Sequence, residues 1–144
     1  MSLEELSARS DYLSVHTLLN DETRHLISDN VFAHTKSNAV LINTARGPVV
    51  DENALHRALV DKRLAGAALD VWEKEPANPD HPLLALDNFI ATSHAAYFST
   101  PAVARVPARC AEEVTRALRG EQPVNVVNRE IFATGTKRRA GKIS

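Results

Sequence analysis

A chain of 144 residues that is 44% hydrophobic and 24% charged is long enough to close one globular domain around a real core, and its composition is not that of a disordered segment. Seventeen Lys plus Arg against eighteen Asp plus Glu leave a net charge of -1, which offers no general attraction to nucleic acid or to an anionic membrane surface. The sequence has no segment of signal-peptide type and no apolar run of the roughly 20 residues needed to cross a bilayer, so a cytoplasmic protein is expected.

Tyr12 to Val15 (YLSV) is a short apolar run that reads as a strand, and the following NDETRHLI, opening on Asn20 with acids in its first turn, reads as a helix capped by that asparagine. SDNVFAHT supplies a second short helix with Ser28 as its cap, and Ala39 to Ile42 is another strand of buried type. Asp51 caps ENALHRALVDKRLAG, in which Ala54, Leu55, Ala58 and Leu59 share a face, Lys62 and Arg63 suit the negative C-terminal end, and Gly66 follows the helix. GAALDV and NFIATS (Asn88 to Ser93) are the third and fourth apolar runs. Thr100 as cap and Pro101 at the first position open a further helix, whose Val103, Val106, Cys110, Val114 and Leu118 keep helical spacing, while Pro107 should bend it or shift its start. The single cysteine, Cys110, cannot close an internal disulfide and reads as a small core residue. The chain closes on a short basic tail, TGTKRRAGKIS, expected to be disordered.

Four continuous apolar strands alternating with helices predict an α/β fold, a parallel sheet covered on both faces. The punctuation of those strands is informative. VLIN leads to Thr44 and Arg46, GAALDV contains Asp70 and leads to Glu75, and NFIATS stops at His94. In open parallel sheets ligands bind outside the carboxyl ends of the strands, so the three loops would carry a cation, an acid and a histidine to one rim. Taken singly, each residue has a plainer reading as a surface charge or an exposed histidine, and it is the joint pattern that favours a site. His16, His25, His34, His56 and His81 show no metal-ligand spacing, although His16 also follows a strand, and no metal is expected.

VLINTARGPVVDENAL, GAALDVWEKEP, HPLLALDNFIATSHAA and LRGEQPVNVVN, in that order and spacing, resemble the C-terminal half of the D-isomer-specific 2-hydroxyacid dehydrogenases, from about Ser2 to Arg129; HAAYFS most resembles the branch containing the C-terminal-binding-protein corepressors. The resemblance implies the later half of a doubly wound (Rossmann-type) parallel sheet with a C-terminal crossover helix. Residues 1–98 would form the second half of an NAD(P)-binding domain, 99–120 the crossover helix, 121–134 a segment returning to the substrate domain, and 135–144 the tail. It also implies hydride transfer between NAD(P)H, with NAD favoured, and a small 2-oxo or 2-hydroxy acid. Arg46 would grip the acid, His94 would act as general acid and base, and Glu75 would be its carboxylate partner. Thr17, Leu18, Leu19, Asn20, Thr44, Asp70, His94, Ala95, Ala96 and Tyr97 would line the dinucleotide. A second copy or an N-terminal half is the expected protein partner. The family's glycine-rich turn is absent, because Gly47, Gly66, Gly120, Gly135 and Gly141 never approach G-x-G-x-x-G spacing. Two other readings compete: a corepressor-like, NAD-linked regulatory module, and a truncated product without independent activity.

Overall fold

The structure is a computed structural model and describes residues 1–130. It divides into two compact units, the first Met1–Ala96 and the second beginning at Tyr97. The first unit opens with helix α1, Leu3–Arg9, held by a reciprocal cap in which Ser2 Oγ accepts the Glu5 N–H at 3.2 Å and Glu5 Oε2 accepts the Ser2 N–H at 3.0 Å. Strand β1, Tyr12–Val15, leads through α2, Asp29–Phe32, to β2, Val40–Asn43. Helix α3, Glu52–Val60, connects to β3, Gly66–Leu69, and a 3-10 turn at Pro82–Ala85 precedes β4, Phe89–Ala91. The four strands are all parallel in the order β1-β2-β3-β4, so their carboxyl ends share one rim.

Alternation sets which face is buried. Leu13, Leu41 and Ala67 stand side by side in register, as do Val15, Asn43 and Leu69, and all six are buried against Ile27, Val31, Phe32, Leu55, Leu59 and Leu83. Each fully buried Leu or Val contributes about 1.5–3 kcal/mol relative to exposure. On the alternate positions of this unit Ile42 and Ala68 are half-buried, and Tyr12, Ser14 and Ile90 are exposed.

Three local expectations are corrected. NDETRHLI forms a turn rather than a helix. Asn20 Oδ1 does accept from the Glu22 and Thr23 N–H groups, at 3.0 and 2.9 Å, but His25 adopts φ 52° and gives its N–H to Pro48 O at 2.8 Å, which removes the next intrahelical bond. Asp51 caps α3 as expected from the sequence, accepting from the Ala54 N–H at 2.9 Å, but the helix stops before Lys62 instead of running to Gly66. Lys62, at φ 56°, takes the left-handed position usually given to glycine, with Arg63 N–H donating to Ala58 O at 2.8 Å and Lys62 N–H to Leu59 O at 3.2 Å. In the second unit α4, Thr100–Leu118, is capped by Ser99 Oγ, which accepts from the Ala102 N–H at 3.3 Å, and not by Thr100.

Helix α4 continues through Pro107 without a shifted start and ends at Gly120, φ 74°, where Glu121 N–H donates to Arg116 O at 2.9 Å. Glu113 of α4 then accepts from the Val124 and Asn125 N–H groups, at 2.9 and 3.3 Å, which folds the start of the 121–134 segment onto its own helix. Cys110, read from sequence as a core residue, is exposed in this unit, because a single helix with a short return segment has no interior to bury it. Residues 131–134 and the expected tail at 135–144 lie outside the described residues.

Candidate active site

The site is built where β2, β3 and β4 end. The side chain of Asn43, wholly buried at the end of β2, turns the chain outward: its Nδ2 donates to Arg46 O at 2.9 Å and its Oδ1 accepts the Ala45 N–H at 3.0 Å. Arg46 thus leaves the sheet on a bracketed turn, just ahead of a 3-10 turn at Gly47–Val49, and its exposed guanidinium donates to Ala45 O at 2.6 Å. Gly47 is required by contact. A Cβ there would lie 1.9 Å from the backbone C and O of Trp72, so the loops leaving β2 and β3 touch backbone to backbone.

Asp70, immediately after β3 and only 5% exposed, anchors the turn that carries the histidine. Its Oδ1 accepts the Thr92 hydroxyl and the Ala95 N–H (2.8 Å), its Oδ2 accepts the Ala96 N–H at 2.9 Å, and its backbone O accepts the His94 N–H at 2.7 Å. His94 is thereby held at φ 57°, a left-handed conformation that costs a non-glycine residue free energy and that the four bonds over-determine. Burial on its own would raise the Asp70 carboxyl, but the Thr92 hydroxyl and the Ala96 and Ala95 amides outweigh it and hold the group below the ordinary aspartate range.

Glu75 completes the arrangement. Its Oε2 lies 2.8 Å from His94 Nδ1 and its Oε1 accepts the Trp72 N–H at 3.1 Å. The bond from His94, then that from Trp72, keeps this carboxyl below the usual glutamate range, and the charge of Arg46 adds to the effect. A carboxylate facing Nδ1 places a proton there and leaves Nε2 as the ring nitrogen available to a ligand. The side chains of His94 and Glu75 are 44% and 41% exposed, so the pair is open to solvent at the mouth of a cavity of about 770 Å³ lined by Trp72, Pro76, Ala77, Leu84 and the stretch from Ala91 to His94.

Of the residues marked by the sequence, Asp70, Glu75, His94, Ala95 and Ala96 form one hydrogen-bonded cluster, and Arg46 joins it through its charge. The amides of Ala95 and Ala96 are already taken by Asp70. Thr17 to Asn20 follow β1 on the same rim. Leu18 there is exposed, Leu19 packs on the core, and Asn20 organises the turn described above. Thr44 is exposed after β2. Tyr97 is the first residue of the second unit, its ring edge-on to Phe98 at 5.7 Å between centroids. Sequence reasoning missed Thr92, Trp72 and Asn43. A lone Thr or Asn at a strand end carries no signal until the strands are paired. No group of three or more metal-ligating side chains occurs among the described residues, and none of the described helices is long and apolar enough to cross a membrane.

Residues 1–96 match the model of the D-isomer specific 2-hydroxyacid dehydrogenase NAD binding domain. Over 130 residues the chain is 45% identical to a glyoxylate reductase of Aeropyrum pernix, covering 90% of this chain but 39% of the relative. It is 42% identical over 126 residues to a D-3-phosphoglycerate dehydrogenase of Methanocaldococcus jannaschii, covering 88% of this chain and 24% of that protein. Among solved structures, a D-lactate dehydrogenase with NAD+ from Lactobacillus jensenii superposes with a TM-score of 0.81 at 31% identity, covering 88% of this chain and 42% of that one. The chain therefore spans about two fifths of the length of the glyoxylate reductases it matches.

Proposed function

The chain belongs to the D-isomer specific 2-hydroxyacid dehydrogenase family, matching its NAD binding domain over residues 1–96, and from this premise we propose that it provides the nicotinamide side of an active site that interconverts small 2-oxo and 2-hydroxy acids. The observation that carries the reading is the 2.8 Å pairing of His94 Nδ1 with Glu75 Oε2 on the carboxyl rim of the sheet. A bound nicotinamide supplies or accepts the hydride. In the reduction, His94 Nε2 gives a proton to the carbonyl oxygen, and in the oxidation it takes one back, while Glu75 holds the opposite nitrogen in its protonated form and stabilises the imidazolium. Arg46 binds the carboxylate through its planar fork, and Asp70 keeps the His94 turn in its left-handed conformation through the return to the starting state.

The residues present fit one end of the dinucleotide. Thr17 and Thr44, after β1 and β2, offer hydroxyls on the rim that carries the pair, and the turn from His94 to Ala96, whose amides are held by Asp70, offers its carbonyls, whereas the sequence contains no glycine-rich turn for a pyrophosphate. The matched domain is described as NAD binding, and the nicotinamide end is common to NAD and NADP. A proton-transfer pair already in hydrogen-bond contact favours an enzyme over a purely regulatory module.

The test is a nitrogen-15 NMR titration of the chain with reduced nicotinamide mononucleotide and with oxamate, a stable mimic of a 2-oxo acid. Shifts should concentrate at Thr44, Arg46 and His94 to Ala96, saturating only at millimolar concentrations. Shifts confined to other surfaces, or none at all, would overturn the assignment.

A further inference from the structure

Behind the segment that carries Glu75, four titratable residues are linked in series, two glutamates through each other's backbone and each to a histidine through its side chain. Glu52, the first residue of α3, is buried; its Oε1 accepts the Glu73 N–H at 2.6 Å, and Glu73 Oε1 accepts the Glu52 N–H at 2.9 Å. Two glutamates thus clasp each other's backbone. Each also meets a histidine, His81 Nε2 at 3.1 Å from Glu52 Oε2 and His25 Nε2 at 3.2 Å from Glu73 Oε1. His81 Nδ1 accepts the Leu83 N–H at 3.3 Å, which puts its proton on Nε2, facing Glu52, and its ring stands edge-on to Trp72 at 5.2 Å. Burial pushes the Glu52 carboxyl above the ordinary range, and the neighbouring Glu73 carboxylate adds to this, against the opposing pull of the Glu73 N–H and His81. A like-charged, desolvated pair is unfavourable for stability, so the consequence of the clasp is chiefly positional.

The position concerned is that of the catalytic carboxylate. Trp72 gives its N–H to Glu75 Oε1 and its indole N–H to Thr92 O at 3.3 Å, and Glu73 follows it directly. We propose that Glu52 is a positioning residue for the Glu75–His94 pair: its carboxylate, steadied by His81, anchors the Glu73 N–H and with it the segment from Trp72 to Glu75. The importance of this for turnover rests on the dehydrogenase reading, whereas the positioning itself is a property of the ligand-free chain.

The test follows the Glu75 carboxyl by carbon-13 NMR through an acid titration of the 144-residue chain, with its denaturation midpoint measured alongside. The charged groups around Glu75 are His94 and, at longer range, Arg46. In the unaltered chain Glu75 should titrate below the ordinary glutamate value of about 4.3. Glu52→Ala removes the anchor and Glu52→Asp shortens its reach while keeping a charge at the start of α3; both should move the Glu75 midpoint upward, toward that value. Glu52→Gln keeps an oxygen for the Glu73 N–H and should leave Glu75 near its original midpoint. Should the alanine chain fail to fold, the aspartate chain decides. A folded Ala or Asp variant that loses stability while Glu75 titrates unchanged would overturn the proposal, as would a Gln variant shifted as far as alanine. Because no ligand is added, this outcome is independent of the nicotinamide and oxamate titrations.

Discussion

Both oxygens of Asp70 hold the turn that presents His94, and this fixes how the site responds to acid. A carboxyl whose folded value is depressed stabilises the fold fully above its unfolded value, about 3.9 for aspartate, and loses that contribution as pH falls through the lower folded value. Asp70 and Glu75 are both depressed, so their contribution to the denaturation midpoint should be full above about pH 5 and fall away below about pH 4, whereas the raised Glu52 acts with the opposite sign, stabilising the fold most at low pH. Asp70→Asn keeps one oxygen but turns an amide NH2 toward backbone donors, and should cost about 2 kcal/mol at neutral pH. It should also flatten the acid limb. Urea unfolding of both chains at several pH values measures this, and an unchanged acid limb in the asparagine chain would remove Asp70 as the anchor. Arg46, Glu75 and His94 could be marked from sequence because cation, acid and histidine follow successive strands. Thr92 and Trp72 could not, since what matters in them is a hydroxyl, an amide and an indole N–H whose partners come from other strands.

At the scale of elements, the sequence was most legible where local chemistry decides. Asp51 and the apolar stripe of α3 need only their own helix, and replacing that cap with alanine should lower stability by about 1 kcal/mol, read as a fall in the urea midpoint with an unchanged slope. A change in slope would mean that the loop ahead of α3, with Val50 bridged to Ile27, had opened as well. NDETRHLI was illegible for the converse reason. Its cap is real, but Pro48 and Val49, far along the chain, take the N–H groups of His25 and Ile27, and a propensity argument cannot weigh a competitor that arrives only with the tertiary fold.

For the whole molecule, the parallel order puts every strand's carboxyl end on one rim, and it also fixes what this chain can hold. In the complete dinucleotide fold the pyrophosphate rests on amides at a helix N-terminus reached through a glycine-rich turn, and the adenine ribose on an acid after the next strand. Neither occurs in these 144 residues. Calorimetric titration of the purified chain with NADH should therefore show no micromolar binding, and glyoxylate or hydroxypyruvate should not be reduced at a measurable rate. Saturable micromolar binding by a folded monomer, or turnover lost in His94→Ala, would show that this half contains more of the site than the rim alone. Strand β1 pairs only with β2 among the described residues, which leaves its other edge able to accept a further strand.

The sequence by itself determined the class of fold and the family, and it pointed to the three side chains that the proposed chemistry uses, because apolar runs, caps and the residues after each strand are properties of neighbours along the chain. Only the tertiary structure decided that one face of the first unit's sheet carries the core, that His94 sits in a left-handed turn held by Asp70, and that Glu75 touches it. It alone brought Glu52, Glu73, His25 and His81 together, through carboxylate-to-amide bonds between two glutamates 21 residues apart and the side-chain contacts of each with a histidine. Hydrogen bonds of that kind depend on where the packed strands and helices place a carboxylate, and the spacing of letters along the chain carries no trace of it.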